Sequence, residues 1–226
     1  MSFPITHLRV ADIVAQSLKL DDEQGADLLL GSLAPDGVHY RAGLHGDAMH
    51  DIGAMKKISH LCPVSEERWG QVTDNENWLA EVKQFLHKET DYLAIGYAVH
   101  VLTDLFNNMT LWHNFRTHYP DEAAKGYASV YYRELPLLDL ELYQQKETRR
   151  ILRLLPLAVP RDFPGRVNAE EIAAIRASIF AKKSGSYQAY VNQPPADTSG
   201  NRLITSGMMR DFVDSAVAFV LGVVGK

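Results

Sequence analysis

The segment from Tyr92 to about Trp112 carries the most apolar helical pattern in the chain. Leu93, Ala94, Tyr97, Ala98, Val101, Leu102 and Leu105 recur at three- and four-residue spacing and cover more than half of a helix circumference. A helix apolar over that much of its surface has to be enclosed by others, so this segment is expected at the centre of the fold. Thr90 or Asp91 can cap its start.

The rest of the chain follows the same period. Thr6 can cap a helix through about Leu18, with Leu8, Ala11, Val14, Ala15 and Leu18 on one face. Asp21 or Asp22 can open a second helix that runs into Gly31 and Pro35 as stop signals. Asp74 or Asn75 can cap a third, where Trp78, Leu79, Val82, Phe85 and Leu86 share a stripe. Further helices are expected at 121–134, 137–156, 168–181 and 205–223, punctuated by Pro136, Pro156, Pro160 and Pro164. Residues 36–65 read as a long loop with short helical turns, and 182–202 as a mobile loop or lid. No strand alternation, hairpin signal or internal repeat is present. The expectation is an all-α fold in a single domain over residues 1–226.

Composition narrows the function classes. Lys plus Arg number 23 against 28 for Asp plus Glu, a net charge of −5, so bulk attraction to nucleic acid is not expected. Cys62 is the single cysteine, which excludes an internal disulfide and a multi-cysteine zinc site. No basic cluster followed by an apolar run marks the N-terminus as a signal peptide. The longest apolar stretch, Ser215 to Gly225, is about half of the roughly 20 residues needed to span a bilayer. A cytoplasmic protein without a transmembrane segment is expected, and the apolar C-terminal helix is compatible with a homodimer. All nine histidines (7, 39, 45, 50, 60, 87, 100, 113 and 118) fall in the first 118 residues. Random placement would give that with a probability of roughly 0.003, so chemistry is sought there first.

The sharpest local signal is Gly96-Tyr-Ala-Val-His100-Val-Leu-Thr-Asp104. His100 and Asp104 lie at i and i+4, about 40° apart on the helix surface and one turn apart along it. An imidazole and a carboxylate so placed could share one divalent metal; a buried His–Asp hydrogen bond bracing the core would use the same residues. Leu30-Gly-Ser-Leu-Ala-Pro35-Asp36-Gly places a carboxylate just past a helix stop, where Pro-Asp-Gly also makes an ordinary turn. His7 stands near a helix start, and His60 lies in Lys57-Ile-Ser-His60-Leu.

Taken in order, His7, Gly-Ser-x-x-Pro-Asp36, Ser-His60-Leu and Gly-Tyr-x-x-His100-x-x-Thr-Asp104 resemble the zinc-dependent phospholipase C family. That family, like the zinc nucleases specific for single strands, is all-helical and holds its metals among the helices. The resemblance covers roughly residues 5 to 110. It implies that Asp36, His60, His100 and Asp104 bind one metal, and that Asp104 bridges to a second held by His7. It further implies a metal-dependent hydrolase of a small phosphoester substrate, with Asp36 orienting or deprotonating the attacking water. One or two divalent ions are expected, zinc first, with iron, manganese or nickel also admitted because no thiolate selects among them.

The chain departs from the family in two places. It begins Met-Ser-Phe-Pro where the secreted phospholipases present a tryptophan ligand, and Pro120 separates His118 from Glu122, downstream of His113, where a third metal triad would lie. A competing motif is Ala48-Met-His50-Asp51-Ile-Gly, which resembles the doublet of HD-domain phosphohydrolases acting on nucleotides. There His7 and Asp104 would supply the remaining ligands. His39, His45 and the His50-Asp51 pair are reserve ligands near the Asp36 turn. A non-catalytic helical module is the remaining alternative. Arg149, Arg150 and Arg153 read as a solvated face.

Overall fold

Every regular element among the described residues is a helix. The structure, a computed structural model, describes residues 3–41, 52–63, 70–181, 187, 194, 196–201 and 203–225. The helices are α1 (Pro4–Ser17), α2 (Asp22–Gly31), α3 (Ile52–Ser59), α4 (Asn75–Lys88), α5 (Tyr92–Met109) and α6 (Leu111–His118). They continue with α7 (Pro120–Ala123), α8 (Val130–Gln144), α9 (Thr148–Leu154), α10 (Ala169–Phe180) and α11 (Ser206–Val224). A 3-10 helix over Ala34–Tyr40 follows α2. No strand occurs among the described residues; Phe163 and Val167 form an isolated bridge. Nor is any helix among them long and apolar enough to cross a membrane.

Helix α5 is the axis. Fourteen of its residues from Leu93 to Asn108 are buried, His100 and Asp104 among them. Around it pack α1, α2, α4 and α11, the last turning Met209, Phe212, Val213, Ala216, Val217 and Val220 inward within the same chain. The contact with α2 is the tightest. A Cβ at Gly96 would come within 2.9 Å of the Leu28 Cα and closer still to its carbonyl, and one at Gly31 would run into the Leu93 carbonyl. Two glycines facing opposite backbones let the helices touch without side chains between them. Gly31 therefore serves as a packing residue as well as the last residue of α2.

Four caps follow the expected chemistry. Asp21 accepts from Gln24 N and completes a capping box, Asp74 from Asn77 N, Asp91 from Ala94 N, and Asn168 from Glu171 N. Helix α1 does not. Thr6 is not its cap: Pro4 occupies the first turn, and Phe3 has no side chain that could accept. The first-turn N–H groups of Ile5 and Thr6, which have no partner within the helix, bond instead to the buried Asp139 carboxylate on α8, at 3.2 and 2.7 Å. The Thr6 hydroxyl and the Tyr187 hydroxyl donate to the same carboxylate. A distant carboxylate thus fixes the turn that carries His7. Asp139→Ala, which strands buried donors, is expected to cost about 2–3 kcal/mol in a denaturation experiment. A loss below about 0.5 kcal/mol would show that α1 is held by its apolar face alone.

Other boundaries also shift. Helix α5 ends at Met109 rather than Trp112, because Thr110 leaves helical geometry (φ −121°, ψ −93°) and α6 restarts at Leu111. The expected helix at 121–134 is instead α7, a 3-10 turn at Gly126–Ala128 and the start of α8, broken where Gly126 takes φ 56°. The expected helix at 137–156 is divided between α8 and α9. Pro136 does not punctuate: it lies inside α8 on an exposed face, where the carbonyl its ring leaves unbonded can reach water. The loop read over 36–65 contains the 3-10 helix and the eight-residue α3, with 42–51 and 64–69 outside the described residues. Most of 182–202 also lies outside them.

Candidate metal centre

Five side chains separated by up to 97 residues meet beside α5. His7 comes from α1, Asp36 from the 3-10 helix, His60 from the turn after α3, and His100 and Asp104 from α5. All five are at most 5% exposed. The His7 and His100 rings stack at 3.7 Å between centroids, and His60 meets His100 edge-on. His7 Nε2 lies 3.4 Å from Asp104 Oδ1, and His60 Nε2 lies 3.5 Å from both Asp36 Oδ1 and Asp104 Oδ2. His100 Nε2 is 3.9 Å from Asp104 Oδ2.

The backbone decides which ring nitrogen His100 offers. His100 Nδ1 donates to the Ser32 carbonyl at 2.7 Å, a contact that the Gly31/Gly96 crossing makes reachable. His60 Nδ1 lies 2.9 Å from both the Lys56 carbonyl and the Ser59 hydroxyl. A carbonyl only accepts, so in neutral His100 the proton sits on Nδ1 and the lone pair on Nε2; His60 takes the same tautomer when its Nδ1 donates to Lys56 O, and the opposite one when it accepts from Ser59. These two Nε2 atoms face each other at 3.2 Å. With a lone pair on each Nε2 the pair calls for a positive centre between or beside them; with the His60 proton on Nε2 the two rings share a hydrogen bond. Burial opposes a further proton: it pulls His60 down to about 4 and His100 well below the ordinary histidine value.

The turn that delivers His60 is over-determined. Leu61 adopts φ 52°, a left-handed position usually given to glycine, at a cost of about 1–2 kcal/mol. Cys62 N bonds back to Lys57 O at 2.8 Å and closes the helix end. Trp78 Nε1 donates to His60 O at 2.8 Å, and the Tyr97 hydroxyl donates to Ser59 O. Two long aromatic side chains from α4 and α5 therefore hold the backbone on either side of His60.

Electrostatically the centre is acidic at its middle. Burial pushes both carboxyls up, yet Asp36 is held well below the usual carboxylate range by Lys56 above all, and Asp104 by the positive groups around it, His7 among them. Neither oxygen of Asp36 has a hydrogen-bond partner, nor has Nδ1 of His7. Lys56, His39 and His60 approach Asp36 Oδ1 at 3.3 to 3.5 Å without completing a hydrogen bond, so the buried carboxylate retains capacity to take a cation. Two overlapping triads, His7/His100/Asp104 and Asp36/His60/His100, each bring three ligand atoms within 4.8 Å of one another and could hold a metal ion.

All five residues singled out in the sequence are thus brought together. His39 joins them at the edge, its Nε2 3.4 Å from Asp36 Oδ1 and its side chain 25% exposed. The downstream group does not: His113 is exposed, His118 bonds to the Asn114 carbonyl of its own helix, and Glu122 pairs with Lys125. His45, His50 and Asp51 lie outside the described residues. Lys56 went unnoticed in the sequence. It is buried, with Nζ 3.3 Å from Asp36 Oδ1, and its one legible signal was its place a helical turn before His60. Two small pockets reach Asp104. One is walled by Trp78, Trp112 and Tyr132 with Asn107 and Asn108, and the other by Phe3, Leu111, Leu135, Met209 and Phe212.

Comparison of the chain with protein-family models, curated proteins and solved structures finds no match.

Proposed function

We propose that this chain is a metal-dependent hydrolase of phosphoesters, on a helical scaffold of the phospholipase C and zinc nuclease type. The observation that carries the reading is the meeting of three imidazoles and two carboxylates in a buried cluster that contains two overlapping ligand triads, with His100 Nδ1 tied to the Ser32 carbonyl so that Nε2 faces the cluster. Asp36, His60, His100 and Asp104 would hold the ion, with His7 beside Asp104. A nitrogen and oxygen donor set without thiolate suits zinc and admits iron, manganese or nickel. A divalent ion there supplies Lewis acidity to a phosphoryl oxygen and to water near neutral pH.

The chain's own residues do the rest. Asp36 could ligate through one oxygen and accept the proton of the attacking water at the other, since neither is committed to a hydrogen bond and only Oδ1 is paired with Lys56. The Ser32 carbonyl keeps His100 in the tautomer that presents Nε2, and Lys56 O does the same for His60 when Nδ1 donates to it. Apolar and aromatic walls around Asp104 limit access of bulk water to the reacting group. Phosphoesters are chosen on the resemblance borne by residues 5 to 110, most specifically Pro35-Asp36 and His100 to Asp104.

The test is elemental analysis of untagged protein, followed by hydrolysis assays on a phosphomonoester and a phosphodiester of p-nitrophenol. One or two equivalents of a transition metal, with hydrolysis lost on chelation and restored by the metal, is the expected result. Metal-free protein that stays inert after zinc, manganese and iron are supplied would refute the reading. Metal bound by the native state also adds stability as RT ln(1 + [L]/Kd), about 2.7 kcal/mol at one hundred times Kd. For a chain of this length that raises the melting temperature by about 5–10 °C. A curve indifferent to hours of chelation would instead favour residues that merely brace the core.

A further inference from the structure

We propose that the ammonium group of Lys56 serves as the second cation of this centre, so that the chain takes one divalent ion and not two. The proposal rests on the metal-centre reading above. His100 has Nδ1 engaged with the Ser32 carbonyl, which leaves Nε2 as its one donor atom. Both triads require that atom. One lone pair serves one ion, so the two triads cannot be filled together. An ion on Asp36, His60, His100 and Asp104 leaves a second ion only His7 and the remaining oxygen of Asp104. Two protein ligands fall short of the three or four that hold zinc firmly.

The charge balance points the same way. Asp36 and Asp104 bring two negative charges into a fully buried cluster, and the imidazoles are neutral ligands. One divalent ion balances the two carboxylates, and Lys56 already stands against Asp36 Oδ1 at 3.3 Å. The Lys56 side chain is 3% exposed, a placement that a charged amine tolerates only beside a carboxylate. An ion held by Asp36 would lie within a few ångströms of that ammonium, and a second ion would add two more positive charges to the same buried cluster. At so short a range the repulsion is large even at an effective dielectric constant of about 20.

Calorimetric titration of chelator-stripped protein with zinc reads the proposal without any activity assay. The wild type, Lys56→Met and Lys56→Gln would be titrated alike, with circular dichroism confirming helix content and elemental analysis confirming stoichiometry. The wild type is expected to take one equivalent at high affinity. Removing the ammonium should tighten that equivalent at least tenfold, because the ion no longer faces a like charge. Two high-affinity equivalents in the wild type would overturn the proposal and leave the metal centre standing. So would an affinity that fails to rise tenfold in both folded variants. If neither variant folds, the wild-type stoichiometry alone decides. No uptake by the wild type would remove the metal centre itself and the proposal with it.

Discussion

Asp104→Asn is expected to abolish metal uptake and hydrolysis in a protein that still folds. The substitution keeps the volume of a side chain that is 5% exposed at the centre of α5. It removes a carboxylate that approaches His7 Nε2 at 3.4 Å and His60 Nε2 at 3.5 Å, and with it one of the two negative charges the cluster presents to an ion. Loss of even an outer partner of a metal ligand lowers affinity 10- to 100-fold, so losing this ligand should exceed about 100-fold. If Asp104 holds metal, the variant should fall further below the metal-loaded wild type in melting temperature than below the chelated one. A bracing role alone predicts the same fall with or without chelator. His100→Ala should likewise lose metal and hydrolysis together. Full metal content with unchanged hydrolysis in either variant would overturn the assignment.

The second large effect is at a residue that touches no ligand. Gly96→Ala places a methyl group against the Leu28 backbone, where carbonyl and Cα cannot give way as a flexible side chain would. Overpacking of this kind costs about 3 kcal/mol, or roughly 6–12 °C in melting temperature for a chain of this length. Relief comes only by separating α2 from α5. That would stretch the 2.7 Å bond from His100 Nδ1 to Ser32 O, the residue next to Gly31, so metal affinity should fall with stability. Gly53→Ala on α3 is the control: a Cβ there meets nothing within 4 Å, and alanine should be neutral or stabilise by about 0.5–1 kcal/mol. Should Gly96→Ala melt and bind like the wild type, the close crossing would not be what sets the site.

How legible the site was depended on where its information lies. His100 and Asp104 could be paired from spacing alone, because four residues on a helix return the chain to nearly the same face. Asp36 and His60 were legible as isolated signals and acquired a common role through resemblance. Lys56 was passed over because a lysine on a short polar helix ordinarily faces water. Only its burial against Asp36 distinguishes it. His118 and Glu122 show the opposite case, a suggestive spacing that the chain leaves at the surface with local partners.

From its own residues the chain determines that it is helical, that Tyr92 onward forms the central helix, and that Asp21, Asp74, Asp91 and Asn168 open the helices they cap. These are local matters of period and of side chains reaching N–H groups three residues away. Tertiary structure decided the cap of α1, supplied by Asp139 from 134 residues beyond Ile5, and the tolerance of Pro136 on an exposed face of α8. It also decided which lone pair His100 presents, since the accepting carbonyl belongs to Ser32, 68 residues away. Periodicity carries no information about such partners. Which backbone lies across from His100 is set by two glycines that let α2 and α5 touch.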